Sequence, residues 1–303
     1  MDTGERNKFT GKELFDRHIE VIPTLLDPIF PKKGIVVLAG SSDTGKSSFL
    51  RDFAISVAEG KNDYLGFRLH PTHNKIIYYS TEDDDDSLAY LLYKQREKIS
   101  NPEKLSNIKF IFHLNDPIQE LEAELQVNPV DCIIIDALGD ILEGNMNHLN
   151  DVRTYLSNYK IIANRYNCLI ILLHHTNKNS ENAMPSKHHI SGSHGLEAKS
   201  RLAIEFRKDK SNANKRHICI VKGNYLTEDY KTKSFVLTFN EDMTYSLTNE
   251  RVSFSDLVSG NAVYDEKEAA KRKARELKQQ GKSHRKIAEL ITSTGYKVSS
   301  STI

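Results

Sequence analysis

A seven-residue apolar run, Gly34 to Gly40 (GIVVLAG), stops at SSDT and resumes at once as a helix-patterned segment, GKSSFLRDFAISVAEG. No other stretch limits the fold as strongly. An apolar, β-branched run that passes through a short polar break into a helix fits a strand–loop–helix unit whose strand is buried on both faces. The break is Gly40-Ser41-Ser42-Asp43-Thr44-Gly45-Lys46-Ser47, followed by Ser48. It satisfies G-x-x-x-x-G-K-[ST] in the strand-to-helix setting that the pattern requires. Gly40 and Gly45 let the backbone curl so that N–H groups point at phosphate oxygens, and the helix N-terminus adds partial positive charge. Lys46 is expected to reach the β- and γ-phosphates and the Ser47 hydroxyl to bind Mg2+. The loop implies a nucleoside triphosphate as its ligand.

The remaining runs give the fold class. NKIIYYST, IKFIFHL, DCIIIDAL and CLIILLHH are apolar and β-branched, and they alternate with helical patterns beginning near Lys46, Asp84, Pro117 and Asn150. That alternation predicts βαβ units and a mainly parallel, helix-covered α/β sheet. RLAIEFRKD, KRHICIVKGN, KSFVLTFN and TYSLT then follow without intervening helices, which predicts an antiparallel extension. From about Asp265 the composition shifts to a charged helix and a smaller helical unit, preceded by the signal-poor SFSDLVSGNAVY. The expected division is 1–250 for the α/β domain, 251–264 for a linker and 265–303 for the helical unit.

Composition excludes some classes. The 303 residues are 38% hydrophobic and 27% charged with a formal net charge of +1, so a nucleic-acid surface would have to be local. We find no apolar run long enough to span a bilayer, and the start MDTGERNKFT lacks a signal-peptide shape, so a cytoplasmic protein is expected. Cys132, Cys168 and Cys219 each lie in an apolar segment and read as free buried thiols. The histidines spread from His148 to His194 fit no compact zinc ligand set.

Hydrolysis needs a carboxylate for the metal and a group to orient water. Asp136 ends the strand in VDCIIIDALGD, where such a metal-supporting carboxylate belongs; an aspartate opening a turn is the alternative. Glu82, the first acid past the strand in IIYYSTEDDDD, is the candidate base, with Asp83 in reserve. Its neighbours Asp83 to Asp86 also suit a helix cap and first turn.

Together these features resemble the RecA-like ATPases, and within them the RepA-type hexameric DNA helicases and related plasmid or mobile-element ATPases. The likeness covers roughly Pro23 to Leu247. It rests on the phosphate loop, the acid after the next strand, Asp136, His174-His175-Thr176 ending a later strand, Ser191-Gly192-Ser193, Arg201 in SRLAIEF, and Lys222-Gly223-Asn224-Tyr225. The resemblance implies that His174 senses the γ-phosphate, that Lys222 enters the neighbouring subunit's nucleotide site, and that a homo-oligomer, a hexamer, encircles single-stranded DNA. Arg207 is the reserve for the cation supplied in trans.

The loops that such rings turn towards DNA are here GDILEGNMNHLND and TNKNSENAMPSKHHISGS. The second carries Lys178, Lys187, His188 and His189 and suits contact with phosphates, whereas the first is acidic. The tail resembles a resolvase- or transposase-type helix-turn-helix: Gly281, a helix opened by Ser283 with Ile287, Ala288, Leu290 and Ile291 apolar, Gly295, and a third helix from near Ser299. The chain stops where a recognition helix should continue, so a truncated reader and a charged helical hairpin both remain open. The expected function is Mg2+-dependent ATP hydrolysis acting on DNA in replication or mobilisation. A nucleotide-switched DNA-binding regulator, or a recombination or repair ATPase, is the alternative.

Overall fold

The phosphate-loop strand lies inside the sheet, with strands on either side. The structure is a computed structural model that describes residues 8–141, 149–176, 178–190, 196, 199–258, 273–274, 277–278 and 282–292. The chain runs β1 (Gly34–Gly40), α1 (Lys46–Ala58), β2 (Ile76–Ser80), α2 (Asp85–Lys94), β3 (Ile108–Ile111), α3 (Pro117–Val127), β4 (Cys132–Asp136), α4 (Leu149–Arg165) and β5 (Leu169–His175). Four strands follow: β6 (Leu202–Lys208), β7 (Lys215–Gly223), β8 (Lys233–Phe239) and β9 (Tyr245–Ser253). Among the described residues these nine strands form one sheet in the order β9-β8-β7-β6-β1-β5-β4-β2-β3. Pairing is parallel from β3 across to β6 and antiparallel from β6 to β9. The mainly parallel sheet with an antiparallel extension is therefore present as the sequence pattern implies.

Strand alternation divides the core into two layers. Val36, Leu38, Tyr78, Ile134, Ile171 and Leu173 face α1, which answers with Phe49, Leu50 and Phe53. Ile35, Val37, Ile77, Ile135, Ile170 and Leu172 face the other way, onto Leu121 of α3 and Leu156 of α4. Burial on both faces explains why the strands read as continuous apolar runs. The helices start where their caps allow. Gly45 takes the left-handed conformation (φ 91°) before α1, Asp84 accepts from the Ser87 N–H before α2, and Asp116 caps α3 with Pro117 in its first turn.

The expected boundary at residue 250 falls inside β9, which continues to Ser253 with Val252 and Phe254 buried. Its second half reads as polar because Arg251 lies among it, yet that guanidinium stacks 3.9 Å from the Phe235 ring and donates to the Ser234 carbonyl at 3.1 Å. In the tail a helix spans His284–Thr292, and the Ile287 N–H donates to the Ser283 carbonyl. Ile287 and Ile291 pack on Ala274 and Leu277. Gly281, Gly295, the stretch from Ser299 and the linker beyond Val258 lie outside the described residues.

Candidate nucleotide site

The phosphate loop bridges the end of β1 and the start of α1, and close contacts dictate its glycines. A Cβ at Gly40 would lie 2.3 Å from the Phe206 carbonyl oxygen on the neighbouring strand. At Gly45 a Cβ would meet the Tyr245 hydroxyl at 2.2 Å, and the positive φ already disfavours any other residue. Ser42 and Asp43 form the exposed tip, while Ser41, Thr44 and Ser48 are buried. The Thr44 hydroxyl and the Lys46 ammonium both donate to the Ser41 carbonyl, at 3.0 and 2.7 Å. Burial lowers the Lys46 pKa, and the carboxylates of Asp136, Glu82, Asp43 and Glu181 pull in the opposite direction. Four acids around one lysine place the site's charges together.

Asp136 ends β4 beside the loop. Its Oδ1 accepts from the Ser47 hydroxyl at 3.3 Å and its Oδ2 from the Tyr78 hydroxyl at 2.6 Å. Burial raises the Asp136 pKa against those two hydrogen bonds. Ser47 Oγ and Asp136 Oδ1 are adjacent hard oxygen donors, so the residues present fit Mg2+.

Glu82 lies two residues past β2, where its Oε1 is 2.8 Å from His175 Nε2. His175 continues the row of Ile171 and Leu173, the face that carries α1. His174 continues the row of Leu172 and is buried on the opposite face. The histidine on the side of the phosphate-loop helix is thus His175, whereas the resemblance pointed to His174. Asp83 is close by, its carbonyl accepting from the Ser80 hydroxyl, and Asp84 to Asp86 serve as cap and first turn of α2.

The chain after β5 returns to the phosphate loop through Glu181, whose carboxylate accepts from the Ser41 hydroxyl. The same segment is fastened beneath by β6. Arg207 donates to the carbonyls of Ala183 (2.7 Å) and Ser180 (2.9 Å) and pairs with Glu205, which accepts from the Ser186 N–H. Arg207 is only 4% exposed. Its charge is engaged inside its own chain by the buried Glu205 carboxylate and the two carbonyls. Lys222 lies level with the middle of the phosphate-loop strand: it pairs with Ala203, which pairs with Val37, short of the loop at Gly40. Lys187 and His188 sit on a short turn, Lys187–His189, while the Lys178 side chain and Ser191-Gly192-Ser193 lie outside the described residues, as does most of the acidic loop after Ile141.

A phosphate loop with a facing carboxylate at the carboxyl edge of a parallel sheet defines a P-loop ATPase with a RecA-like fold. The chain belongs to the AAA_25 family, described as an AAA domain, whose model matches residues 8–181. Many solved structures share the fold, two of them as follows. One is described as the ATPase domain of G40P (14% identity, TM-score 0.57, covering 78% of this chain and 96% of that one). The other is a DnaB-like replicative helicase described with its interactions with primase (14% identity, TM-score 0.57), of which this chain spans 64% while 78% of this chain is covered. No curated protein matches the sequence.

Tyr78, His175, Glu181, Arg216 and Tyr245 all touch the site's residues; four were not singled out by sequence, and His175 was named only within the His174-His175-Thr176 motif. The His-His doublet carried a signal for His175, since strand alternation puts one of the two on each face.

Proposed function

We propose that the protein couples Mg2+-dependent ATP hydrolysis to movement on DNA as a homo-oligomeric ring, a hexamer, in the replication or mobilisation of a mobile element. The observation that carries this reading is the Glu181–Ser41 contact. It ties the segment after β5, the one that follows the sensor strand, directly to the phosphate loop. A change at the phosphates therefore has a short path to the Lys187–His189 turn, a candidate surface for single-stranded DNA.

In this reading Gly40 to Ser48 wrap the phosphates and Lys46 supplies a fixed cation. Ser47 and Asp136 would hold Mg2+, which supplies charge neutralisation on the phosphate oxygens. Glu82 accepts the proton of the attacking water, and His175, within hydrogen-bonding distance of Glu82, takes the sensing role first assigned to His174. Lys222 enters the neighbour's site. The assignment to the cytoplasm follows the same reading, and among the described residues no helix is long and apolar enough to cross a membrane.

The decisive measurement is ATP turnover with and without single-stranded DNA on protein of known assembly state. Turnover stimulated by DNA, and abolished by Lys46→Ala, is expected. Turnover indifferent to DNA would favour a nucleotide-switched regulator, a reading that the apolar packing of Ile287 and Ile291 in the tail helix also accommodates.

A further inference from the structure

The phosphate loop is gripped from behind by two side chains of the antiparallel strands, beyond the segment matched by the AAA family. Arg216 on β7 donates from Nε to the Thr44 carbonyl at 2.7 Å, and the Tyr245 hydroxyl at the start of β9 donates to the Gly45 carbonyl at 2.8 Å. In a planar trans peptide the C=O and the following N–H point in opposite directions. Holding the Thr44 and Gly45 oxygens towards β7 and β9 therefore turns the Gly45 and Lys46 N–H groups away from those strands. These are the first donors of the helix N-terminus, the groups that receive phosphate oxygens.

Both braces are themselves fixed. Arg216 is 4% exposed, donates from Nη1 to the carbonyls of Ala213 (2.6 Å) and Lys215 (2.8 Å), and lies 5.0 Å from the centre of the Phe239 ring. The Tyr245 ring packs against Phe49, Phe206 and Phe239 at centroid distances of 5.7, 5.8 and 5.0 Å. Its backbone N–H is anchored on Asp52 at 3.0 Å. The Gly45 carbonyl also accepts from the Phe49 N–H at 2.9 Å, so α1 begins without help from the tyrosine. The hydroxyl is an additional donor on an oxygen already satisfied. A carbonyl oxygen accepts two such bonds, so the hydroxyl fixes from a second side the tilt of a peptide that the helix holds from the first.

We propose that Arg216 and Tyr245 are positioning residues for the triphosphate. They preset the Thr44–Gly45 and Gly45–Lys46 peptides for anion binding and make nucleotide affinity depend on the antiparallel strands. The proposal rests on the loop being the nucleotide site.

Tyr245→Phe keeps the ring packing and removes one hydroxyl; Arg216→Lys keeps the charge and loses the guanidinium fork. Calorimetric titration with MgATP, and separately with pyrophosphate, reads the effect on the phosphate chain with and without a base. Each variant should weaken both ligands about three- to tenfold, the net worth of one hydrogen bond. The nucleotide-free melting temperature of Tyr245→Phe should stay within about 2 °C of wild type, since its carbonyl partner keeps another donor. Unchanged affinities in both folded variants would overturn the proposal. So would weaker ATP binding with pyrophosphate binding intact, which would place the effect on the base. Wild-type protein that fails to bind MgATP would instead sink the nucleotide-site reading itself.

Discussion

Asp52 is buried in α1 between the Tyr64 hydroxyl and the Tyr245 N–H. Burial pushes its carboxyl up to about 6, against the hydrogen bond from Tyr245 and the charge of Lys61. The unfolded value is about 3.9, so between about 4 and 6 the folded protein holds more protons than the unfolded chain. This site's contribution is therefore most favourable below about pH 4 and is lost as pH rises through 6, by at most about 3 kcal/mol. Asp52→Asn keeps an acceptor for both partners and removes the titration. Its melting temperature should change less between pH 5 and pH 7 than that of wild type, and an unaltered slope would show that another group titrates. Glu82 and its histidine make a second residue-scale test. Glu82→Gln should bind MgATP yet hydrolyse it about 10²–10⁴-fold more slowly, as for a lost general base. His175→Ala should impair turnover more than His174→Ala; the reverse order would return the sensing role to His174. The phosphate loop itself was legible because its spacing is local. Choosing between two adjacent histidines needed the face that α1 covers. Arg216 and Tyr245 carried no signal, since their loop partners lie 172 and 200 residues away.

The strands and helices were legible for the same reason as the loop. An apolar run of five to seven residues buried on both faces, as in β1, β4 and β5, announces itself without reference to its partners. The end of β9 did not, because Arg251 stabilises it by stacking on Phe235, a contact that composition records as polarity. Equally hidden was the fastening of the segment after β5 by the buried Glu205–Arg207 pair on β6. Arg207 looked like a cation for a neighbour because a lone arginine ending an apolar run gives no sign of an inward partner two residues earlier. Arg207→Met should leave the buried Glu205 carboxylate with only the Ser186 N–H and His189 beside it, at a cost of about 3–5 kcal/mol. In a domain of this size that corresponds to a fall of about 6–20 °C in melting temperature. Adding Glu205→Gln should recover part of the loss, because the buried charge left without its arginine, and not the missing contact, dominates. Thermal melts of the three proteins decide it. A double variant no more stable than Arg207→Met would show that the bonds to Ser180 and Ala183 are what matters.

At the scale of the whole molecule, the sheet separates two cations carried by one strand. β7 begins at the phosphate-loop edge, where Arg216 grips Thr44, and runs antiparallel to β6 away from it. Lys222 lies six residues further on, so at about 3.3 Å per residue it sits roughly 20 Å from that grip. In the proposed ring a second copy brings Lys222 to the nucleotide of its neighbour. Supplying such a cation in trans can accelerate phosphoryl transfer by about 10³–10⁵, which links turnover to assembly. Specific activity should therefore rise steeply with protein concentration. Lys222→Ala and Lys46→Ala proteins should each be inactive alone, for different reasons: one keeps an intact phosphate loop and the other an intact lysine. Mixing them creates interfaces in which the intact loop of one subunit faces the intact lysine of the next, and part of the activity should return. Activity independent of concentration, with no recovery in the mixture, would mean that each chain completes its own site, and Lys222 would lose its role.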